Sequence, residues 1–435
     1  MIQNLINRRK FLKNAGLVTA FSSLEFPFAA VRDEPLVKMG FVGVGGRGTS
    51  MLQVALNTGL VQVTAVCDID AERVARAQRL VEKAGQPKPE GFIKGPEDYK
   101  RLAEKKDLDA IYTATPLALH APVMIAAMKN GKYGGTEMPA CLSIEEGWQL
   151  VEVYEKTRVP CMLMENYCYM RDVQMILNMV NQGALGEITH CETGYQHDTR
   201  YVNIDAKGNL LWRANDKLQY NGNRYPTHAI GPVAQWVNIN RGDRFEYLVS
   251  MSSKAAGMKA YAEKHFGKDH PSAKQNYKTG DVNTSLIRTA NGISICLYYD
   301  TQTPRPVDFI WRVQGTKGIH SGTLNKVHLD GVSPEHRWEE DAKYRDQYDH
   351  PNWKKYGKIA QSFGHGGSDY ICMLDFVKSV QKKDQVPIDV YDAVTWSCIT
   401  DLSGISVADR SRPVDFPDFT KGKWKTQTPR LIKEV

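Results

Sequence analysis

Apolar residues recur along this chain in two rhythms, and the change from one to the other divides it. From residue 37 the run VKMGFVGVG is almost continuously apolar and ends in glycines, as a strand buried on both faces of a parallel sheet does. A helical pattern follows through Leu56, and then a second β-rich run, LVQVTAVCD, which ends at Asp68. A helix is predicted over about 71–84, and a strand over Asp109–Thr115 that stops at a proline. HAPVMIAAMKNGK reads as an amphipathic helix with an Asn-Gly stop, and YGGTEMPA as the loop after the next short strand. A helix over 144–157 and the run PCMLMEN carry the pattern to Asn166. Strands that alternate with helices predict a doubly wound parallel sheet of Rossmann type.

Beyond Asn166 the period shortens. EITHCETGYQHD, NTSLIRTANGISICLYYD and FIWRVQGTKGIHSGTL alternate apolar with polar residues between turn signals, the pattern of an antiparallel sheet. DYICMLDFVKSVQKK and VYDAVTWSCITDLSGISVAD return to helical spacing. The expected fold is α/β: a dinucleotide-binding domain over 31–166 and an α+β domain with a largely antiparallel sheet over 167–435. Residues 1–30 read as a leader, with Arg8-Arg9, Phe11-Leu12-Lys13, a modest apolar stretch and Ala29-Ala30, as in twin-arginine export signals.

Composition narrows the classes. A chain of 435 residues with 42% hydrophobic and 24% charged residues has material for two globular domains. A net charge of +7, part of it in the leader, is too mild and dispersed for nucleic acid. No apolar run reaches membrane-spanning length. The eight cysteines lack C-x-x-C pairs and the histidines lack HExxH spacing, so neither a disulfide framework nor a metal site is expected.

Chemistry concentrates at three places. Gly43-x-Gly45-x-x-Gly48 lies between a predicted strand and a predicted helix, with Asp68 at the end of the next strand. Such glycines let backbone N–H groups approach a pyrophosphate, and the acid accepts from a ribose hydroxyl, which favours NAD over NADP despite Arg47 in the loop. GGTEMPA puts Glu137 between a glycine pair and a proline, with no cation beside it in sequence. NRYPTHAIGP spaces Tyr225 and His228 three apart, an acid/base and a hydroxyl on one side if the segment opens a helix at Pro226.

Several of these stretches coincide with one family. The glycine fingerprint, ATP at 114–116, Glu-x-Pro at 137–139 and HGGSDY at 365–370 resemble the glucose–fructose oxidoreductase and inositol dehydrogenase superfamily. More narrowly, GVGGRG, GTEMPA, MENYCYMRDVQMILNMV, GYQHD and NRYPTHAIGPVAQW resemble glycoside hydrolase family 109, NAD-dependent α-N-acetylgalactosaminidases commonly exported by a twin-arginine signal. The resemblance implies cofactor contacts at Gly46, Arg47, Asp68, Leu117, Ala118, Leu119, His120, Glu137, Met138 and Asn166, beside Gly43, Gly45 and Gly48. It implies sugar contacts at Tyr195, Arg213, Tyr225, Pro226, Thr227 and His228, with His228 as acid or base assisted by Tyr225, Tyr167 and Tyr169. Superfamily dehydrogenases carry Glu-Lys-Pro where this chain has Met138, and family 109 likewise lacks that lysine.

The implied reaction is redox-neutral: oxidation at sugar C3, loss of the C2 proton and of the C1 leaving group, addition of water and return of the hydride from NAD. One position departs from the family: TPRPVDF has Val307 where members often carry a sugar-contacting tyrosine, which bears on sugar specificity. The alternatives are an NAD-dependent sugar oxidoreductase with net turnover, a keto-glycoside lyase, the same mechanism on another sugar, and a non-catalytic sugar-binding protein. The expected partner is a glycan or glycoside, with homodimer formation implied by resemblance. For His365, Asp389 and Asp392 a role in the fold alone is expected.

Overall fold

The computed structural model describes residues 35–428; the leader over 1–30 and the first residues of the expected NAD-binding domain lie outside them. The first half builds β1 (Val37–Val42), α1 (Gly46–Thr58), β2 (Val61–Cys67), α2 (Ala71–Lys83), β3 (Glu90–Phe92), β4 (Ala110–Thr113), α3 (His120–Lys129), β5 (Tyr133–Thr136), α4 (Ile144–Thr157) and β6 (Cys161–Leu163). The strands pair in parallel in the order β3-β2-β1-β4-β5-β6. The order reverses at β1, so the carboxyl ends of β1 and β4 flank the crevice where such sheets bind ligands. Local chemistry sets the helix starts: Asp70 accepts the Glu72 and Arg73 N–H groups, and Ser143 that of Glu146. The edge strand β3 has three residues, too few to show any period, and is not predicted from the pattern.

The second sheet follows α5 (Arg171–Asn181), β7 (Ile188–Gln196), α6 (Trp212–Gln219), α7 (Thr227–Trp236), β8 (Phe245–Ser252), β9 (Val282–Thr289), β10 (Ser294–Asp300) and β11 (Asp308–Gly315). Together with β12 (Gly318–Ser321), β13 (Lys326–Leu329), β14 (Glu339–Glu340) and β15 (Val414–Asp415) these strands give the order β14-β13-β12-β11-β7-β10-β9-β8-β15. Within this sheet only the β7–β10 pair is parallel among the described strands. The expected α/β class with a mostly antiparallel second sheet is what the chain adopts.

The chain then returns to the first sheet. After α8 (Pro351–Ala360), α9 (Ser368–Gln381) and α10 (Val390–Ser397) pack against α1, α4 and β6. Leu163 N–H donates to Ile388 O at 3.2 Å. The fully buried Phe376 ring lies where a Cβ on Gly135 of β5 would come within 3.2 Å, so the bare backbone there admits the aromatic. Asp389 and Asp392 cap α10, as expected of acids at a helix start, and both also hold the buried Arg241. A boundary at 166 therefore separates the sheets but not their coverings.

His350, completely buried, caps α8 by accepting the Asn352 N–H at Nδ1. Burial pushes its pKa down from 6.5 to about 4. A depressed folded-state value means that the unfolded chain binds more protons between those limits, so stability is complete above pH 6.5 and is lost as pH falls towards 4. The full effect is on the order of 3 kcal/mol. Urea unfolding from pH 7 to 4.5 should show this loss, and His350→Asn, which keeps a capping acceptor without titrating, should flatten it.

Candidate functional site

The glycine turn after β1 is built for close backbone approach. Gly43 has φ +79°, and a Cβ there would stand 2.8 Å from the Ala114 backbone; a Cβ on Gly48 would stand 1.8 Å from Gly43 O. Above Gly46 nothing lies within 4 Å of where a Cβ would be, so the N-terminus of α1 opens into free space. That helix start has no capping side chain and no acid in its first turn, which leaves its N–H groups and dipole free for an anion. Asp68, at the end of β2, accepts the N–H of Val44 at 3.0 Å and that of Asp70. The acid thus ties the second strand end to the glycine loop.

Glu137, isolated in sequence, has a cation in space. Arg47 Nε donates to Glu137 Oε1 at 2.7 Å, and its two terminal nitrogens bond both oxygens of Asp369 at 2.8 and 3.0 Å. Asp369, 0% exposed in the first turn of α9, also bonds Asn166 Nδ2 and His365 Nδ1, each at 2.9 Å. The buried Tyr112 hydroxyl donates to Glu137. Burial alone would raise the Asp369 carboxyl, but the His365 hydrogen bond and the Arg47 charge hold it well below the usual range. Burial, and then the Glu137 charge, push the Tyr112 phenol well up, so it stays a donor.

The second cluster surrounds His228, which lies in the first turn of α7. Its Nδ1 sits 2.6 Å from Glu165 Oε1, and Glu165 is wholly buried. Tyr167 stacks on the imidazole at 3.9 Å with rings 20° apart. Tyr225 and Tyr195 stand 4.9 and 5.1 Å from it. Phe309, stacked on Tyr195, and Trp311 complete an aromatic box from β11. Nε2 of His228 meets no partner among the described residues. A carboxylate at Nδ1 orients that free nitrogen and stabilises the imidazolium formed when it takes a proton. Burial drives the Tyr167, Tyr195 and Tyr225 phenols upward, so they act as neutral donors.

Several buried polar atoms around these clusters lack partners among the described residues: Asn166 Oδ1, Glu165 Oε2 and Thr227 Oγ1. Buried polar groups are normally hydrogen-bonded, so such atoms mark places for a ligand's groups. The open helix start, Asp68 and the orphaned Asn166 carbonyl, all on the carboxyl edge of the parallel sheet, fit a dinucleotide.

The comparisons with known proteins agree with this division. Residues 169–426 match the family model "Glycosyl hydrolase 109, C-terminal domain", and residues 37–165 match "Oxidoreductase family, NAD-binding Rossmann fold". A Glycosyl hydrolase family 109 protein of Shewanella amazonensis is 44% identical over 92% of this chain and 89% of its own length. One of Stenotrophomonas maltophilia is 40% identical over 98% of both. The chain belongs to glycosyl hydrolase family 109. Among solved structures, levoglucosan dehydrogenase in complex with NADH and L-sorbose superimposes with a TM-score of 0.70, covering 88% of this chain and 100% of that one at 21% identity. At that identity the likeness is one of fold. Residues 37–165 of this family 109 chain form an NAD-binding Rossmann domain.

The expected site residues fall into three groups. Gly43, Gly45, Gly46, Arg47, Gly48, Asp68, Glu137 and Asn166 line the carboxyl edge of the first sheet, and Tyr167, Tyr195, Tyr225 and His228 form the aromatic cluster. Pro226 and Thr227 are buried at the α7 start. Arg213, on the exposed face of α6, packs over Trp212 at 4.6 Å with no ion-pair partner among the described residues.

The third group has side chains engaged within the protein, beside the half-exposed Leu117-Ala118-Leu119 turn after β4. His120 is buried with its nitrogens 2.7 and 3.0 Å from the carbonyls of Pro139 and Thr115. It pins the Leu117-Ala118-Leu119 turn to the loop after β5, and neither nitrogen is free for a cofactor. Tyr169 donates to Asp375 on α9 at 2.8 Å and has no ring contact with His228. Met138 is 2% exposed, an apolar plug at the dehydrogenase lysine position. Sequence reasoning missed Glu165, Asp369 and Tyr112, although each stands in a stretch already singled out. His365, expected to serve the fold, contacts Asp369.

Arg213→Ala should leave folding stability within about 0.5 kcal/mol, because the side chain is exposed and unpaired. Urea unfolding and substrate KM measured together check this; KM is expected to rise about tenfold or more.

Proposed function

We propose that this protein is an α-N-acetylgalactosaminidase or a close variant of one, working through tightly held NAD with no net redox change. NAD, when bound, supplies a hydride acceptor and donor that makes the sugar's C2 proton acidic for a time. The protein's residues do the rest. The glycine turn, Asp68, Arg47, Glu137 and Asn166 hold the cofactor. His228, with Glu165 behind it, takes and returns a proton at Nε2, while the phenols of Tyr167, Tyr195 and Tyr225 donate to sugar oxygens. Arg213 stands at the mouth for a polar substituent.

The observation that carries this reading is the His228–Glu165 pair in an aromatic box beside an NAD-binding half. Met138 is a buried thioether and cannot take the sugar's hydroxyl proton as a lysine can, so the proton released when hydride leaves C3 passes to another base, a role open to His228 Nε2. Val307, 51% exposed before β11, offers no hydroxyl to a sugar, which favours a glycan preference shifted from that of tyrosine-bearing relatives. A twin-arginine leader fits as well: an enzyme exported folded carries its cofactor with it.

Purified protein, denatured and assayed, should release NAD in near-stoichiometric amount. A panel of aryl α- and β-glycosides without added cofactor should yield aglycone with no growth of the NADH band. Steady NADH growth with free sugar would instead make it an oxidoreductase, and binding without turnover a sugar-binding protein. Glu165→Gln preserves the shape and removes the charge behind His228. It should lower kcat about 10–100-fold and shift the pH profile while KM changes little. His228→Ala should abolish turnover yet retain NAD.

A further inference from the structure

The cluster joining Arg47, Glu137 and Asp369 contains two carboxylates and one guanidinium, and no other lysine or arginine pairs with either acid among the described residues. Its geometry leaves little room to change that ratio: Arg47 spends Nε on one acid and both terminal nitrogens on the other. Asp369 is fully buried, and the remaining hydrogen bonds to the pair come from the neutral Asn166 and Tyr112 and from His365. Two carboxylates set against one guanidinium give the cluster, leaving the His365 imidazole aside, one negative charge in excess. In a site of low dielectric such a charge acts strongly on any neighbouring group whose own charge changes.

The neighbouring group follows from chain connectivity. Asn166, bonded to Asp369 through Nδ2, has a buried Oδ1 with no partner among the described residues, and the adjacent residue is Tyr167, which stacks on His228. A hydride passes only between atoms in contact, so the redox-active ring must meet the sugar where His228 and Tyr167 hold it. The Asp369 cluster therefore borders the nicotinamide end of the cofactor site. A nicotinamide is cationic when oxidised and neutral once it has accepted a hydride, that is, two electrons and a proton.

We infer that Asp369 and Glu137, with Arg47 as their single counter-charge, bias the resident NAD towards its oxidised form. Asp369 is then a positioning and charge-setting residue contributed by the C-terminal part of the chain. This rests on the reading above that NAD stays bound. A redox-neutral glycosidase needs the bias, because its cycle starts from the oxidised cofactor and no second substrate rescues a reduced one.

The test poises the purified holoenzyme at pH 8 against a two-electron dye couple and follows the NADH absorbance band with potential. Asp369→Asn should shift the bound couple towards reduction by about tenfold, about 30 mV for two electrons. Glu137→Gln should shift it the same way, and Arg47→Gln, which removes the positive charge, the opposite way. A merely structural role would not produce opposite signs. Shifts of one sign in all three, or none in Asp369→Asn and Glu137→Gln, would overturn the inference. A folded wild-type protein that holds no NAD would overturn the functional reading instead.

Discussion

One guanidinium, Arg47, is shared by two carboxylates that reach it from distant parts of the chain: Glu137 from the end of β5, and Asp369, 322 residues after the arginine, from the first turn of α9. Removing one member of a buried ion pair typically costs about 3–5 kcal/mol, because the remaining charge is stranded. The cluster is therefore a constraint that the rest must satisfy. It fixes the glycine turn relative to α9, draws in the Asn166 side chain, and seats His365 against the same carboxylate. The cofactor edge of the first sheet is finished by residues that belong, in sequence, to the second half.

The His228 cluster depends on that arrangement from the other side. Glu165 and Asn166 are consecutive, and they face two different partners: the acid meets the imidazole and the amide meets Asp369. A single short turn after β6 thus links proton chemistry to the cofactor edge. Around it the stacked rings of Tyr167, Tyr195 and Phe309 keep the dielectric low, which makes one carboxylate behind one histidine effective.

Much of the fold was legible because its signals are local. Continuous apolar runs, glycine spacing at 43–48 and Asp68 one strand later need only twenty to thirty residues of context, and alternation marked the second sheet. The His228 segment was legible as chemistry through its neighbours Tyr225 and Pro226. What could not be read was long-range pairing. Glu165 was visible as an acid beside Asn166, yet nothing nearby in sequence announces a histidine 63 residues on. Asp369 read as part of a helix start, and Glu137 as an acid without a cation, since their common partner lies far from both. His120 and Tyr169 show the same limit from the other side: their side chains, polar groups in matched stretches, bond backbone carbonyls and Asp375, partners that no local pattern announces.

The return of α9 to the first sheet also bears on biosynthesis. While the first 165 residues emerge, the parallel sheet can form, but Arg47 and Glu137 still lack the acid that completes their arrangement. That acid is joined only after some 85% of the polypeptide has been made. Assembly of a cofactor-ready pocket is thereby coupled to near-completion of the chain, so a nascent or truncated product has no finished nicotinamide end with which to sequester the nucleotide.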